Sequence, residues 1–256
     1  MGDKIFIPAK NGTFSPKDIK LEGTLYKPKG TGPFPLVILN HGSTDNGNIP
    51  ATTTFKWQWT SNFFVERGFV VLAPMRRGRG ASEGDTSLSE PYTSCGYSEN
   101  VFGVNSAIED LDHVVAYAKT QPYIDLSRIV IGGVSRGGLL SVAYASKRPD
   151  LAIKGTVNFV GGWSNYRCDG VNEKLFQDAG EGSKIPSLWV YGEKDSNYSD
   201  DAIRAYFQIF QKGNPNATFR MHANVPQDGH NVSLYARFWA TDLNAFLKQL
   251  GFAKLQ

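Results

Sequence analysis

The feature that most constrains the fold of this chain is an unbroken alternation of strand-like and helix-like segments between residues 35 and 250. Several strand-like runs are continuously apolar, as expected for strands that are buried on both faces of a parallel sheet. The strand-like runs cover residues 18–26, 35–40, 69–73, 128–132, 153–160, 187–191 and 217–222, and the helix-period segments cover 54–67, 104–120, 135–148, 200–212 and 232–250. This order predicts an α/β fold in which a mostly parallel sheet is flanked by helices.

The organisation at the N-terminus differs, because the strand-like runs 4–7 and 18–26 have no helix between them. We expect them to form an antiparallel edge, which gives a sheet of about eight strands. The chain has no internal repeat and no low-complexity linker, so residues 1–256 are interpreted as one domain. Segments 76–105 and 163–185 are too long for plain connections, and such long loops commonly carry function.

The charge balance gives no sign of a nucleic-acid or membrane partner. The 27 basic and 24 acidic residues give a formal net charge of +3, and no run of five like charges occurs. No stretch approaches the roughly 18 consecutive apolar residues of a membrane span, and the start M-G-D-K-I-F-I-P lacks the charged head and apolar middle of a signal peptide. We therefore expect neither partner, and the oligomeric state is left open.

The two cysteines, Cys95 and Cys168, are either free thiols, as is usual in the cytosol, or one disulfide, as in exported proteins. Both lie in segments rich in Gly, Ser, Tyr and Asn, outside the predicted elements, and this favours the disulfide. The predicted compartment depends on this choice. It is periplasmic or secreted if a leader has been removed and the cysteines are bridged, and cytoplasmic otherwise.

The segment I-G-G-V-S-R-G-G at residues 131–138 places one serine among four glycines. It contains G-x-S-x-G between an apolar β-branched run and a helix-like segment, which is the strand-turn-helix context of a serine nucleophile. A sharp turn there strains the backbone of Ser135 and requires very small neighbours two positions away. One alternative is a glycine-rich turn in which Ser135 only caps the helix. A phosphate-binding loop is disfavoured, because no Gly-Lys-Ser/Thr follows.

A serine nucleophile needs a histidine base and a carboxylate that orients the base. The four histidines are His41, His113, His222 and His230. Of these, His230 lies in the turn Q-D-G-H-N-V after the last predicted strand, which is the expected place for a base. Asp195 follows the apolar run S-L-W-V-Y and is the favoured acid, with Glu193, Asp200 and Asp201 as competitors. The chain order Ser135, Asp195, His230 is typical of the serine hydrolases with a nucleophile elbow.

With these residues in place, the sequence resembles the α/β-hydrolase superfamily over essentially its whole length, and most closely its dienelactone-hydrolase-like branch. The segments G-V-S-R-G, N-H-G-S, Y-G-E-K-D and D-G-H carry the resemblance. It implies an α/β-hydrolase fold and a reaction without metal or organic cofactor, and segment 163–185 is too short for a large cap domain. Dienelactone hydrolases use a cysteine nucleophile, whereas this chain has Ser135, and the departure favours a general ester hydrolase.

The resemblance also implies an oxyanion hole formed by the backbone N–H groups of Arg136 and, by match to His41-Gly42, of Ser43. Gly42 would give that loop the freedom to turn inward. The segment R-R-G-R-G-A-S-E-G at 76–84 resembles one that shapes the floor of the site in acyl-peptidase-like and cocaine-esterase-like relatives, and neither Arg77 nor Arg79 is given a chemical role.

The expected substrate is a small-molecule carboxylic ester with a short or aromatic acyl group. Aromatic residues of the two long segments either form an acyl pocket or pack the loops onto the body. Candidate substrate contacts are His41, Tyr92, Trp163 and Tyr166, and Tyr97 and Phe102 belong to the same aromatic set. Two other functions stay open: an amidase or peptidase of the acyl-peptidase type, and a non-catalytic protein that binds a ligand on the same fold.

Overall fold

The computed structural model describes residues 2–12, 16–43, 49–85, 94–164, 168 and 170–252. Within these residues the chain forms one eight-stranded sheet in the spatial order β1-β2-β4-β3-β5-β6-β7-β8. The strands are β1 Asp3–Asn11, β2 Lys17–Tyr26, β3 Phe34–Asn40, β4 Val70–Pro74, β5 Ile124–Val134, β6 Ile153–Phe159, β7 Ser187–Gly192 and β8 Ala217–His222. The pairs β1/β2 and β2/β4 are antiparallel and all other pairs are parallel, so the predicted α/β-hydrolase sheet with an antiparallel N-terminal edge is confirmed.

Helices cover both faces of this sheet. They are α1 Gln58–Val65, α2 Tyr97–Lys119, α3 Arg136–Lys147, α4 Val171–Gly182, α5 Asp200–Gly213 and α6 Ala236–Gln249, and a 3-10 helix spans Gly229–Leu234. Helices α1 and α6 contact each other, whereas α2, α3, α4 and α5 pack side by side in that order. No helix in the described part of the chain is long and apolar enough to cross a membrane.

Helix α4 was not predicted, since residues 163–185 were interpreted as a long loop. Its apolar residues Val171, Leu175, Phe176 and Ala179 are nevertheless spaced for one helix face and are buried. A Cβ at Gly180 would lie 2.4 Å from the carbonyl oxygen of Phe210, so this glycine lets α4 approach α5. The glycines that suggest a loop in the sequence therefore serve helix packing.

Other element boundaries also differ from the prediction. Helix α2 begins at Tyr97 rather than at residue 104, so part of the other long segment, 76–105, is helical. The segment predicted as one C-terminal helix, 232–250, divides at Tyr235 into the end of the 3-10 helix and α6. Much less loop is therefore left around the sheet than the sequence suggests.

A disulfide joins Cys95, just before α2, to Cys168, just before α4, with a Cα–Cα distance of 4.9 Å. Beside it, the Tyr97 hydroxyl donates a hydrogen bond to Asp178 on α4. These two links fasten the start of α2 to α4.

Candidate active site

Ser135 lies in the one-residue turn between β5, which ends at Val134, and α3, which begins at Arg136. Its φ of 56° and ψ of −123° are a strained conformation for a residue with a side chain. The side chain of Ser135 makes no capping hydrogen bond to α3, so the structure does not support the capping alternative. Backbone contacts hold the turn, because the Ser135 N–H donates to the Phe159 carbonyl at 2.9 Å and its own carbonyl accepts from Gly138 at 2.9 Å.

The glycines that flank Ser135 are required by close backbone approach. A Cβ at Gly133 would lie 2.4 Å from the carbonyl oxygen of Gly137, and a Cβ at Gly137 would lie 2.2 Å from that of Asn40 on β3. No side chain fits at either position without moving backbone. This is the size restriction that the G-x-S-x-G pattern predicts.

His230 lies on the 3-10 helix that follows β8. The N-cap residue of this helix, Asp228, accepts the backbone N–H of His230 at 2.8 Å and that of Ser196 at 3.0 Å. Burial tends to raise the pKa of Asp228, but these hydrogen bonds outweigh burial and lower it. A Cβ at Gly229 would lie 2.4 Å from the Glu193 carbonyl oxygen, so this glycine lets the two loops touch.

Asp195 is the carboxylate that this loop contact brings to His230. Its Oδ2 lies 2.8 Å from His230 Nδ1, while its Oδ1 accepts the backbone N–H groups of Asn197 at 2.8 Å and Tyr198 at 3.3 Å. The side chain of Asp195 is fully buried and that of His230 is 19% exposed. Burial raises the pKa of the Tyr198 hydroxyl far above its ordinary value, so Tyr198 stays neutral beside this pair.

The competing candidates lie elsewhere. Asp200 and Asp201 occupy the first turn of α5, and Asp200 accepts the backbone N–H of Lys194 at 2.9 Å. His113 on α2 accepts the backbone N–H of Lys10 at 3.2 Å, and His222 packs against Phe238. None of these contacts involves Ser135 or His230.

The loop after β3 lies against Ser135. A Cβ at Gly42 would lie 3.1 Å from the Ser135 Cβ, and Gly42 and Ser43 line the same pocket as Ser135 and His230. Gly42 is not among the residues with positive φ. A glycine is favoured here because Ser135 lies so close, and not because the loop needs the expected conformational freedom.

The pocket that Ser135 and His230 share has a volume of about 370 Å³. Its apolar walls come from the segment before α1, from the first turn of α1 and from the 3-10 helix, with Phe55, Trp57, Trp59 and Leu234 as the large side chains. Trp57 has a left-handed backbone (φ 47°, ψ 41°), which costs an L-residue about 1–2 kcal/mol. Trp59 and Leu234 are 70% and 52% exposed, so apolar surface continues to the mouth of the pocket.

A sequence model of the dienelactone hydrolase family matches residues 21–230, which is most of the chain. The chain belongs to the dienelactone hydrolase family. With the sheet order described above, this makes the protein a hydrolase-family member with the α/β-hydrolase fold.

Known proteins similar to this dienelactone hydrolase family member include esterases. The quorum-quenching protein AidA of Acinetobacter baumannii (strain MDR-ZJ06) is 27% identical over 139 residues, which are 54% of this chain and only 40% of that relative. An esterase of Pyrococcus furiosus superposes with a TM-score of 0.67 at 18% identity, over 98% of this chain and 91% of the esterase. Est1E of Butyrivibrio proteoclasticus, solved with ferulic acid, superposes with a TM-score of 0.62 at 19% identity, over 89% and 96%. At these identities the structural likeness shows the fold.

Two of the expected substrate contacts in this family member are buried and are not among the residues that line the pocket. The side chain of His41 is fully buried, and that of Trp163 is 1% exposed beneath the guanidinium of Arg136, whose Nε donates to the Trp163 carbonyl at 2.8 Å. Both side chains pack in the interior. Tyr92 and Tyr166 lie outside the described residues.

The sequence does not single out the aromatic residues of the pocket, because long segments are the expected place for substrate contacts. Tyr97 and Phe102 belong to α2 and are not among the residues that line the pocket. The signal for the observed walls was the aromatic density of F-K-W-Q-W at residues 55–59. The helix predicted for residues 54–67 includes that stretch, whereas α1 starts only at Gln58.

Proposed function

We propose that this protein is a serine esterase that cleaves carboxylic esters of short or aromatic acids through an acyl-enzyme on Ser135. One observation carries the proposal: Ser135 and His230 line one pocket, and Asp195 Oδ2 lies 2.8 Å from His230 Nδ1. The membership in the dienelactone hydrolase family supports it.

The proposed reaction uses His230 first as a base and then as an acid. His230 takes the hydroxyl proton of Ser135 while Oγ attacks the ester carbonyl carbon, and Asp195 holds the imidazole by its Nδ1–H. The backbone N–H groups of Ser43 and Arg136 stabilise the oxyanion. His230 then gives the proton to the departing alcohol, and later activates the water that releases the acid and restores Ser135.

The proposed acyl preference follows from the size and walls of the pocket. A volume of about 370 Å³ is at the small end of ligand pockets and suits a short acyl chain or one aromatic ring. Phe55 and Trp57 stack with ring centroids 5.7 Å apart, and they offer a rigid apolar face to a planar group.

The nucleophile assignment is tested with Ser135→Ala. Loss of the serine should lower kcat on p-nitrophenyl butyrate by about a millionfold, because the nucleophile and base act as one unit. A fluorophosphonate probe should label the wild-type protein and leave the variant unlabelled. Turnover retained by the variant would contradict the proposal, and a wild-type protein that neither labels nor turns over would favour the non-catalytic alternative.

The substrate class is tested with matched p-nitrophenyl esters. We expect acetate, butyrate and benzoate to have kcat/KM at least about tenfold above palmitate, since a long chain exceeds the pocket. The butyric p-nitroanilide serves as the amide counterpart of the butyrate ester. A preference for palmitate would refute the acyl assignment, and a preference for the anilide would turn the proposal into an amidase.

A further inference from the structure

The guanidinium of Arg76 is buried behind the loop that follows β3. Arg76 is 4% exposed and belongs to the segment after β4. Its Nη1 donates to the His41 carbonyl at 2.6 Å and its Nη2 donates to the Gly42 carbonyl at 3.2 Å. Nη2 also lies 3.4 Å from the Ser43 hydroxyl oxygen. One side chain therefore contacts three consecutive residues of this loop.

The imidazole of His41 contacts the same peptide group. The backbone N–H of Arg76 donates to His41 Nε2 at 3.0 Å, and His41 Nδ1 lies 2.6 Å from the Gly42 carbonyl oxygen. A backbone N–H can only donate, so Nε2 is the acceptor and Nδ1 carries the proton of the neutral ring. The Gly42 carbonyl thus accepts from both His41 and Arg76. Phe55 stacks on the His41 ring at 5.6 Å with parallel planes (1°) and restricts its rotation.

The direction of the Gly42 carbonyl determines the direction of the Ser43 N–H. The peptide between these residues is trans, so its C=O and N–H groups point in opposite directions. The C=O group points toward Arg76 and His41, so the N–H of Ser43 must point away from them. Gly42 and Ser43 line the pocket beside Ser135. The positive charge of Arg76 beside the Gly42 carbonyl also polarises this peptide group and makes the Ser43 N–H a stronger hydrogen-bond donor.

We propose that Arg76, together with His41, is a positioning residue for catalysis: it fixes and polarises the Gly42–Ser43 peptide so that the Ser43 N–H faces the oxyanion. This rests on the proposed serine-esterase function and assigns a role to a buried arginine that is not among the residues lining the pocket. A purely structural arginine would support the fold equally well in the free enzyme and in the transition state. A positioning arginine adds stabilisation in the transition state, so kcat is the quantity it controls.

The test compares Arg76→Lys with Arg77→Lys as a matched control. Arg77 is the next residue and is 5% exposed, but it donates from Nε and from its backbone N–H to Asp110 at 2.8 and 2.9 Å. Burial raises the pKa of Asp110 to about 6, although the contacts with Arg77 lower it. Assays at about pH 8 therefore keep this carboxylate charged. A lysine at either position keeps the charge and loses the forked donor geometry.

We expect Arg76→Lys to lower kcat on p-nitrophenyl butyrate by about 10- to 100-fold, with KM changed by less than about threefold. This is below the 10²–10³-fold loss for complete removal of one oxyanion donor. The affinity for a trifluoromethyl ketone, whose adduct carries an oxyanion, should fall by the same factor as kcat/KM. Arg77→Lys should keep kcat and this affinity within about threefold, whatever its effect on Tm.

Equal kcat losses in the two lysine variants, or unchanged affinity of Arg76→Lys for the trifluoromethyl ketone, would overturn the positioning role. If Arg76→Lys does not fold, His41→Gln is the test of the positioning role. The introduced amide oxygen can accept from the Arg76 N–H, while the imidazole donor to the Gly42 carbonyl is lost. A three- to tenfold lower kcat at constant KM then supports the role, and an unchanged kcat overturns it.

An active Ser135→Ala would refute the proposed function itself, whereas an inactive Ser135→Ala with an unaffected Arg76→Lys refutes only the positioning role.

Discussion

The two oxygens of Asp195 make different contacts, and this division explains why one carboxylate can both shape a loop and orient a base. Oδ1 accepts the backbone N–H groups of Asn197 and Tyr198, which fixes the side chain, and Oδ2 faces His230 Nδ1. Asp228, by contrast, accepts the backbone N–H groups of both Ser196 and His230 with Oδ1. Replacing the carboxylate of Asp195 by an amide therefore disturbs the contact with His230 Nδ1, whereas the same change at Asp228 can leave its two backbone hydrogen bonds in place.

Asp195→Asn should lower kcat by about 10⁴-fold at neutral pH. Its carbonyl oxygen can keep the two backbone contacts, so its NH₂ group faces His230 Nδ1 and forces the proton onto Nε2, which can then no longer accept the serine proton. Steady-state kinetics on p-nitrophenyl butyrate measures the loss. Asp228→Asn is the matched control, since its amide oxygen can accept both N–H groups and kcat should fall less than tenfold. Similar losses in both variants would contradict the assigned role of Asp195.

Elements around the pocket are tied together by Glu22 of β2, whose side chain is fully buried. One oxygen contacts Lys4 Nζ of β1 at 2.7 Å and accepts the Thr54 hydroxyl at 2.6 Å. The other accepts the backbone N–H of Ala81 at 2.7 Å. Thr54 directly precedes the pocket aromatic Phe55, so one carboxylate links the antiparallel edge, the pocket wall and the segment that follows β4.

Glu22→Gln should lower the free energy of unfolding by about 3 kcal/mol at pH 7, because an amide cannot accept from donors on both sides of this buried side chain and the charge contact with the half-exposed Lys4 is lost. Urea titration measures the loss. Glu83→Gln is the control: Glu83 is an exposed carboxylate that accepts one backbone N–H, from Lys20, and its loss should be below about 1 kcal/mol.

The stability difference between wild type and Glu22→Gln should also depend on pH. Burial acts to raise the pKa of Glu22, but the contacts with Lys4, Thr54 and Ala81 outweigh burial and hold it below its ordinary value of 4.5. A lowered folded-state pKa stabilises above the unfolded pKa and loses this effect as pH falls through the folded pKa. The difference should therefore shrink below about pH 4. A constant difference from pH 7 to pH 3 would show that Glu22 does not act through its charge.

At the scale of the whole molecule, the disulfide closes a loop of 73 residues that contains α2, β5, α3 and β6. Cross-linking so long a segment restricts the unfolded chain much more than the folded one. The bridge is also one of the two conditions under which the sequence predicts an exported protein, since disulfides persist in oxidising compartments.

The double variant Cys95→Ser, Cys168→Ser should unfold about 4 kcal/mol more easily than the oxidised wild type, as loop-closure entropy gives for this separation. Urea unfolding with and without dithiothreitol measures the effect, and reductant should destabilise the wild type but leave the double variant unchanged. A loss below about 1 kcal/mol would contradict this account and would mean that residual structure already restricts the reduced, unfolded chain.

By itself the sequence determined the alternation of strands and helices, and with it the sheet. It also placed a serine with small neighbours at a strand end. These features were readable because apolar periodicity and glycine spacing are local, and each depends only on nearby residues. The same reasoning failed for α4, where the glycine that suggests a loop is explained by the approach of α5, a segment distant in sequence.

Only the tertiary structure decided which side chains face the pocket. His41 and Trp163 lie near the expected site in sequence yet are buried, whereas Trp57 and Leu234 line the pocket from segments far apart in the chain. It also decided that Arg76 contacts the loop at residues 41–43. The physical reason is that orientation and burial depend on which strands are neighbours, and non-local strand order places β3 between β4 and β5.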